Sequence, residues 1–122
     1  MSKFLERDLI YIDFDPSKGS EINKRRPALV ISRNEYNQNG RLAIVCPITS
    51  TPKERRFLVP LNNAIEKGLL KEGSKVNIAQ VASLDVSENG DRNPEKIGEL
   101  DLEEFYKVIQ YFLYNFNNPA RF

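Results

Sequence analysis

The hydrophobic period of this chain changes once, at residue 101. In "DLEEFYKVIQYFLYNF", Leu102, Phe105, Val108 or Ile109, Phe112 and Phe116 recur at three- and four-residue spacing, the mark of an amphipathic helix. Asp101 stands where an N-cap belongs, and Glu104 three residues on completes a capping box. Everything earlier reads as short runs of β period cut by turn residues. "DLIYIDFD" (Asp8–Asp15) alternates and is rich in Ile, Tyr and Phe. "PSKGSEINKRR" is a loop. "PALVISR" is a strand that Pro27 can only begin, because proline donates nothing to a ladder. "NEYNQNG" turns the chain, with Asn39-Gly40 a hairpin signal. "RLAIVCPIT" is the next strand, ending at Pro47 or just beyond. "FLVPL" is a brief strand, and "NNAIEKGLLKEG" is a helical turn or a loop. "KVNIAQVASLDV" reads as one long fifth strand, and "KIGEL" as a last short one. Short strands followed by one helix predict a mainly β (α+β) architecture: a small, strongly bent β-barrel with a C-terminal α-helix packed on it.

A chain of 122 residues fits one domain, taken as residues 1–122. The single cysteine, Cys46, forbids an internal disulfide and fits a reducing, cytoplasmic setting. It lies in the apolar run Leu42–Cys46, where a small core residue is expected. The start "MSKFLERDL" lacks the apolar core of a signal peptide, and no run is long enough to span a membrane. The sequence contains no histidine. That removes the usual proton carrier near neutral pH and argues against a zinc site. No cofactor is implied, and acid–base chemistry is left to carboxylates, Tyr, Lys and Arg-polarised hydroxyls.

The net charge of +1 hides an asymmetry. Between residues 18 and 33, Lys18, Lys24, Arg25, Arg26 and Arg33 face one acid, Glu21. Lys53, Arg55 and Arg56 form a second basic loop, whereas residues 85–104 hold eight acids against Arg92 and Lys96. Two basic loops on one face make a footprint for a polyanion. If the strands holding Val30 and Ile44 pair, Arg26 and Thr49 lie at the same end of that pair. An arginine fork and a hydroxyl then converge, a combination suited to a phosphodiester. A purely structural alternative has Thr49 capping a turn and Arg26 pairing with Glu21 on the surface.

"IYIDFDPSKGSEINKRRPALVIS", then Tyr36-Asn37, "LAIVCPITSTPK" and "FLVPL" resemble the MazF/PemK toxins of type II toxin–antitoxin systems, in the CcdB/PemK-like superfamily. The resemblance runs from about Asp8 to Asp85. It implies an SH3-like barrel, a homodimer, and a sequence-specific, metal-independent endoribonuclease neutralised by a cognate antitoxin. In such enzymes the RNA 2′-OH attacks the adjacent phosphorus, leaving a 2′,3′-cyclic phosphate and a 5′-OH. The family's arginine before proline falls on Arg26, its threonine on Thr49 and its loop glutamate on Glu21, a candidate acceptor of the 2′-OH proton. Lys18, Lys24, Arg25, Ser50, Lys53, Arg55, Arg56 and Gln80 are candidate RNA contacts, with Arg25 assigned to backbone phosphate. The homodimer would use apolar surface from the strands and the C-terminal helix, since the run Leu42–Cys46 needs cover on both faces. Two departures stand out. Arg7 occupies a place where relatives carry glycine, and Ala79 and Ala82 replace residues of an "ADQV"-plus-basic pattern. A gyrase-binding toxin of CcdB type and an inactive SH3-like interaction module are the competing readings.

Overall fold

A computed structural model describes residues 3–15 and 25–116. Ten elements follow in order: β1 (Asp8–Asp13), β2 (Arg25–Val30), α1 (Asn34–Gln38), β3 (Leu42–Ser50), β4 (Leu58–Pro60), α2 (Asn62–Glu66), β5 (Ser74–Asn77), β6 (Ala82–Asp85), β7 (Glu95–Glu99) and α3 (Leu102–Leu113). All strands pair antiparallel in the order β4-β5-β3-β2-β1-β7, and β6 adds to β3 as well. The bent β architecture with a C-terminal helix is thus present, as an open sheet in which no ladder joins β4 to β7 among the described residues. No helix among them is long and apolar enough to cross a membrane.

Strands β1 to β3 are buried on both faces, which is why their sequences run apolar without a polar stripe. Leu9, Leu29, Cys46, Ile48 and Val76 face one cluster, onto which Phe105 and Val108 of α3 pack. Ile10, Ile12, Ala28, Val30, Ala43 and Val45 face the other, closed by Phe4, Leu84 and Val86. Within the run Leu42–Cys46, Ala43, Val45 and Cys46 are buried by their own chain, Ile44 is half-buried and Leu42 stays exposed. Burial pushes the Cys46 thiol up to about 12.

Four local expectations are corrected. The β2–β3 link is not a tight hairpin. A type I′ turn needs positive φ at both central residues, but Asn39 has φ −85 and Gly40 is not in the positive-φ region. Instead α1 forms, held by fully buried Asn37, whose Nδ2 donates to Ser32 O at 3.2 Å while Ser32 Oγ donates to Asn37 Oδ1. Pro27 lies two residues inside β2 rather than at its start. It is tolerated because pairing with β3 begins only at Ala28, so β2 has one neighbour there. The long fifth strand is two strands. Asn77 Oδ1 accepts from Ala79 N at 2.9 Å, an Asx turn that lifts the chain off β3 before Ala82 rejoins it. β5 pairs with Ile48–Ser50 and β6 with Leu42–Val45, leaving Cys46 and Pro47 at the break between them. Finally, Asp101 caps α3 by accepting from Glu103 N at 3.2 Å, but Glu104 does not close a capping box. Its carboxylate accepts from Asn63 N at 3.0 Å and Ala64 N at 3.3 Å, capping α2 instead, whose own N-cap Leu61 supplies no side-chain acceptor.

Candidate active site

The β2–β3 register runs Ala28↔Pro47, Leu29↔Cys46 and Val30↔Val45. Carried two residues past its last rung, it sets Arg26 opposite Thr49. The strands have parted by then, because Thr49 pairs with Lys75 of β5 while Arg26 pairs with Ile12 of β1. An open groove of about 420 Å³ fills the gap, lined by Tyr11, Arg25, Arg26, Thr49, Ser50 and Lys71, with Pro27, Ile48, Leu70 and Ser74 completing it. Apart from Leu70 and Lys71 in the segment before β5, its walls are strand residues, so Arg26 and Thr49 sit on backbone fixed by ladders.

Arg26 is exposed, and beyond its backbone rung in the β1–β2 ladder its side chain makes no ion pair or hydrogen bond among the described residues. The Thr49 hydroxyl, half-buried, makes none either, and the turn after β3 is built by Thr51, whose Oγ1 accepts from Lys53 N at 3.2 Å. Thr49 is thus not the turn cap of the structural alternative. A guanidinium and a hydroxyl on one groove, neither engaged by a described side chain, can present several donors to an anion that spans them.

The remaining candidates divide. Ser50 lines the groove, with its hydroxyl donating to Glu72 O at 3.0 Å. Lys53, Arg55 and Arg56 are exposed on the loop that leaves β3 and do not line it. That loop is tethered by Lys75 Nζ, which donates to Thr51 O at 2.6 Å. Gln80 is exposed in the β5–β6 turn, its Oε1 accepting from Asn77 at 3.4 Å. Lys18, Glu21 and Lys24 lie outside the described residues. Arg25 is already engaged. Its Nη1 donates to Asp13 Oδ1 at 3.2 Å and to Asn93 O at 2.8 Å, and its Nη2 to Glu95 Oε1 at 3.0 Å. The Asn93 amide foremost, with the Arg25 guanidinium, holds the Asp13 carboxyl below the ordinary carboxylate range against the opposing effect of burial. Sequence reasoning missed Tyr11 and Lys71. Lys71 sits in a stretch without period and reaches the groove only because β5 pairs with β3. Among the described residues, no group of three or more His, Cys, Asp or Glu comes together in a way that could hold a metal ion.

Comparison with known proteins converges on one family. The profile of the PemK-like, MazF-like toxins of type II toxin–antitoxin systems matches residues 6–115. Over 62 residues the chain is 40% identical to the endoribonuclease toxin MazF of Escherichia coli strain K12, a stretch amounting to 51% of this chain and 56% of that protein. The chain thus spans about half the length of the curated relatives it matches. A chain of the MazE–MazF crystal structure (Form-III) from Deinococcus radiodurans aligns with a TM-score of 0.71 at 28% identity, covering 92% of this chain and 94% of that one. An endoribonuclease in complex with its cognate antitoxin from Mycobacterial species shares the fold, with a TM-score of 0.71 at 16% identity over 95% and 99% of the two chains. A match that spans nearly the whole chain, together with a fold shared along its length, makes this protein a member of the PemK-like, MazF-like toxin family of type II toxin–antitoxin systems.

Proposed function

We propose that this single-domain protein is a metal-independent endoribonuclease toxin that cuts single-stranded RNA at preferred sequences. It acts in the cytoplasm as a homodimer and is neutralised by a cognate antitoxin protein. The observation that carries the reading is the groove lined by Arg26 and Thr49 at the open end of β2 and β3, where neither side chain has a polar partner among the described residues. In the reaction the RNA 2′ oxygen bonds to the adjacent phosphorus as the bond from phosphorus to the 5′ oxygen breaks. The 2′-OH proton passes to a carboxylate, for which Glu21 is the candidate, and a proton reaches the departing 5′ oxygen. Arg26 and Thr49 stabilise the charge that builds on the phosphoryl oxygens, and each such preorganised donor contributes roughly 10²–10³ in rate. A guanidinium brings a positive charge and several N–H donors of its own, so this role calls on neither histidine nor a metal ion. Lys18, Lys24, Ser50, Lys53, Arg55, Arg56 and Gln80 hold the strand on either side. A second copy packs on apolar side chains left open on α3, among them Tyr106 and Leu113.

The test is cleavage of a long single-stranded RNA in EDTA, with the same sequence as DNA for control. Cleavage of RNA alone is expected, with cyclic phosphate ends. Arg26→Ala and Thr49→Ala should each lose about 10²-fold or more in single-turnover rate while keeping their circular dichroism, in line with other preorganised donors. Cleavage that needs added magnesium, or folded variants that cut at the wild-type rate, would refute the assignment.

A further inference from the structure

Among the described residues no side chain aims Arg26, so within them its placement depends on the backbone of the first residues of β2. That backbone is held in an unusual way. The β1–β2 ladder ends on the rung Asp13↔Arg25. The end of a ladder frays unless something else binds it. Here the rung is closed by side chains from a third segment, the stretch leading into β7. Arg25 is gripped by Asp13, by Glu95 and by the Asn93 carbonyl. Asp13 Oδ2 in turn accepts from Asn93 Nδ2 at 2.9 Å. Arg92 fixes the β1 side, with Nη1 donating to Asp13 O at 3.1 Å and Phe14 O at 2.7 Å, while Asp13 N donates to Arg92 O at 2.8 Å. Asn93 adopts φ 50, the left-handed region that asparagine tolerates, which suits a residue using amide and carbonyl at once.

We propose that Arg25 is a positioning residue and not an RNA ligand. With Asp13, Asn93 and Glu95 it clamps the start of β2, and so holds the neighbouring Arg26 in register with Thr49. The inference rests on the ribonuclease reading above. Two features separate it from phosphate binding. Three of the guanidinium's five N–H donors, two on Nη1 and one on Nη2, go to two carboxylates and a carbonyl. A phosphate approaching Arg25 also meets those two carboxylates at close range, where like charges repel.

The two roles differ in what they do to binding and to rate. A phosphate ligand contributes about 0.7 to the salt slope of single-strand binding. If Arg25 were one, Arg25→Ala would lower that slope by this amount. Glu95→Gln, by freeing the cation, would tighten binding. The clamp predicts otherwise. Arg25→Ala, Asp13→Asn and Glu95→Gln should leave the affinity and salt slope for a 2′-O-methylated single-stranded RNA unchanged. They should lower the saturating single-turnover rate on the unmodified RNA by about 10-fold for Arg25→Ala, less than the 10²-fold that a full 1 Å misplacement costs. The double variant Arg25→Ala/Asp13→Asn should lose no more than the worse single variant, because both act through one clamp. Asp13→Asn is nearly isosteric and guards against a mere folding defect. A reduced salt slope, a tighter Glu95→Gln, or an Arg25→Ala rate equal to wild type overturns the clamp while leaving the ribonuclease reading intact. A wild-type protein that leaves RNA uncut overturns the ribonuclease reading and the clamp's catalytic role with it.

Discussion

Arg7 sits at φ 79 in the left-handed region, at the place where the sequences it resembles carry glycine. Its backbone cannot relax out of it. Arg7 N donates to Val30 O at 3.0 Å, and Leu100 N donates to Arg7 O at 2.9 Å, tying the residue to the end of β2 and the exit of β7. That conformation costs an L-residue roughly 1–2 kcal/mol and glycine almost nothing. The side chain returns little. Its Nη2 lies 3.1 Å from Glu99 Oε1 in a partly exposed pair, a kind worth about 0.2–1 kcal/mol, while its Nε is buried without a partner. Replacing Arg7 with alanine removes the pair and keeps the strain; replacing it with glycine removes both. Alanine normally outranks glycine by about 0.4–1 kcal/mol through the unfolded chain, and the strain outweighs that margin here. Arg7→Gly should therefore be more stable than Arg7→Ala by roughly 0.5–1 kcal/mol, or about 2–4 °C in Tm for a chain of this size. Thermal melts of the two variants at matched protein concentration decide it. An Arg7→Ala protein that melts at or above Arg7→Gly refutes the strain.

Glu104→Ala leaves Asn63 N and Ala64 N without their acceptor and should cost about 1 kcal/mol by urea denaturation; a neutral result would show that α2 needs no outside cap. Cys46, with its thiol pushed up to about 12 by burial, should resist iodoacetamide at pH 8 in the native protein, and intact-mass labelling at the rate of a free cysteine would contradict the packing. Asp13 has its folded pKa lowered, so its ionised form stabilises the fold above the ordinary value of 3.8, and that contribution is lost as pH falls through the still lower folded value. Asp13→Asn should then be the less stable protein at pH 7, with the gap closing below 3.8; a gap that widens in acid would reverse the sign of the coupling.

What the sequence reveals is what local periodicity and register can encode. Alternation and apolar runs place β1, β2 and β3, and the later three-and-four spacing places α3, because each pattern reports the face an element buries. Arg26 and Thr49 follow from the same logic, since two strands that pair bring their ends together. The errors arise where a residue's partner is distant. The carboxylate of Glu104 stands where it can turn back to its own helix or outward to another, and nothing local favours the N-terminus of α2. Asn37 looks like a turn residue until the buried Ser32 beside it is seen to satisfy it. Asn77 breaks a β-branched run through a two-residue turn that periodicity does not register. Arg25 reads as a free cation because Asp13 and Glu95 reach it only through the β1 ladders.

The β1–β7 ladder joins Asp8 to Glu99 and Tyr11 to Glu95, near opposite ends of the chain. Closing so long a loop carries an entropic cost that the neighbouring β1–β2 and β2–β3 pairings avoid, which favours those pairings forming before β7 docks. During synthesis Arg26 and Thr49 leave the ribosome before Arg92, Asn93 and Glu95. A nascent or truncated chain that stops short of these residues holds both chemical groups of the groove and Asp13, but lacks the Asn93 carbonyl and Glu95 carboxylate that also grip Arg25. The residues that line the groove thus precede along the chain the segment that returns to the first strand and grips Arg25.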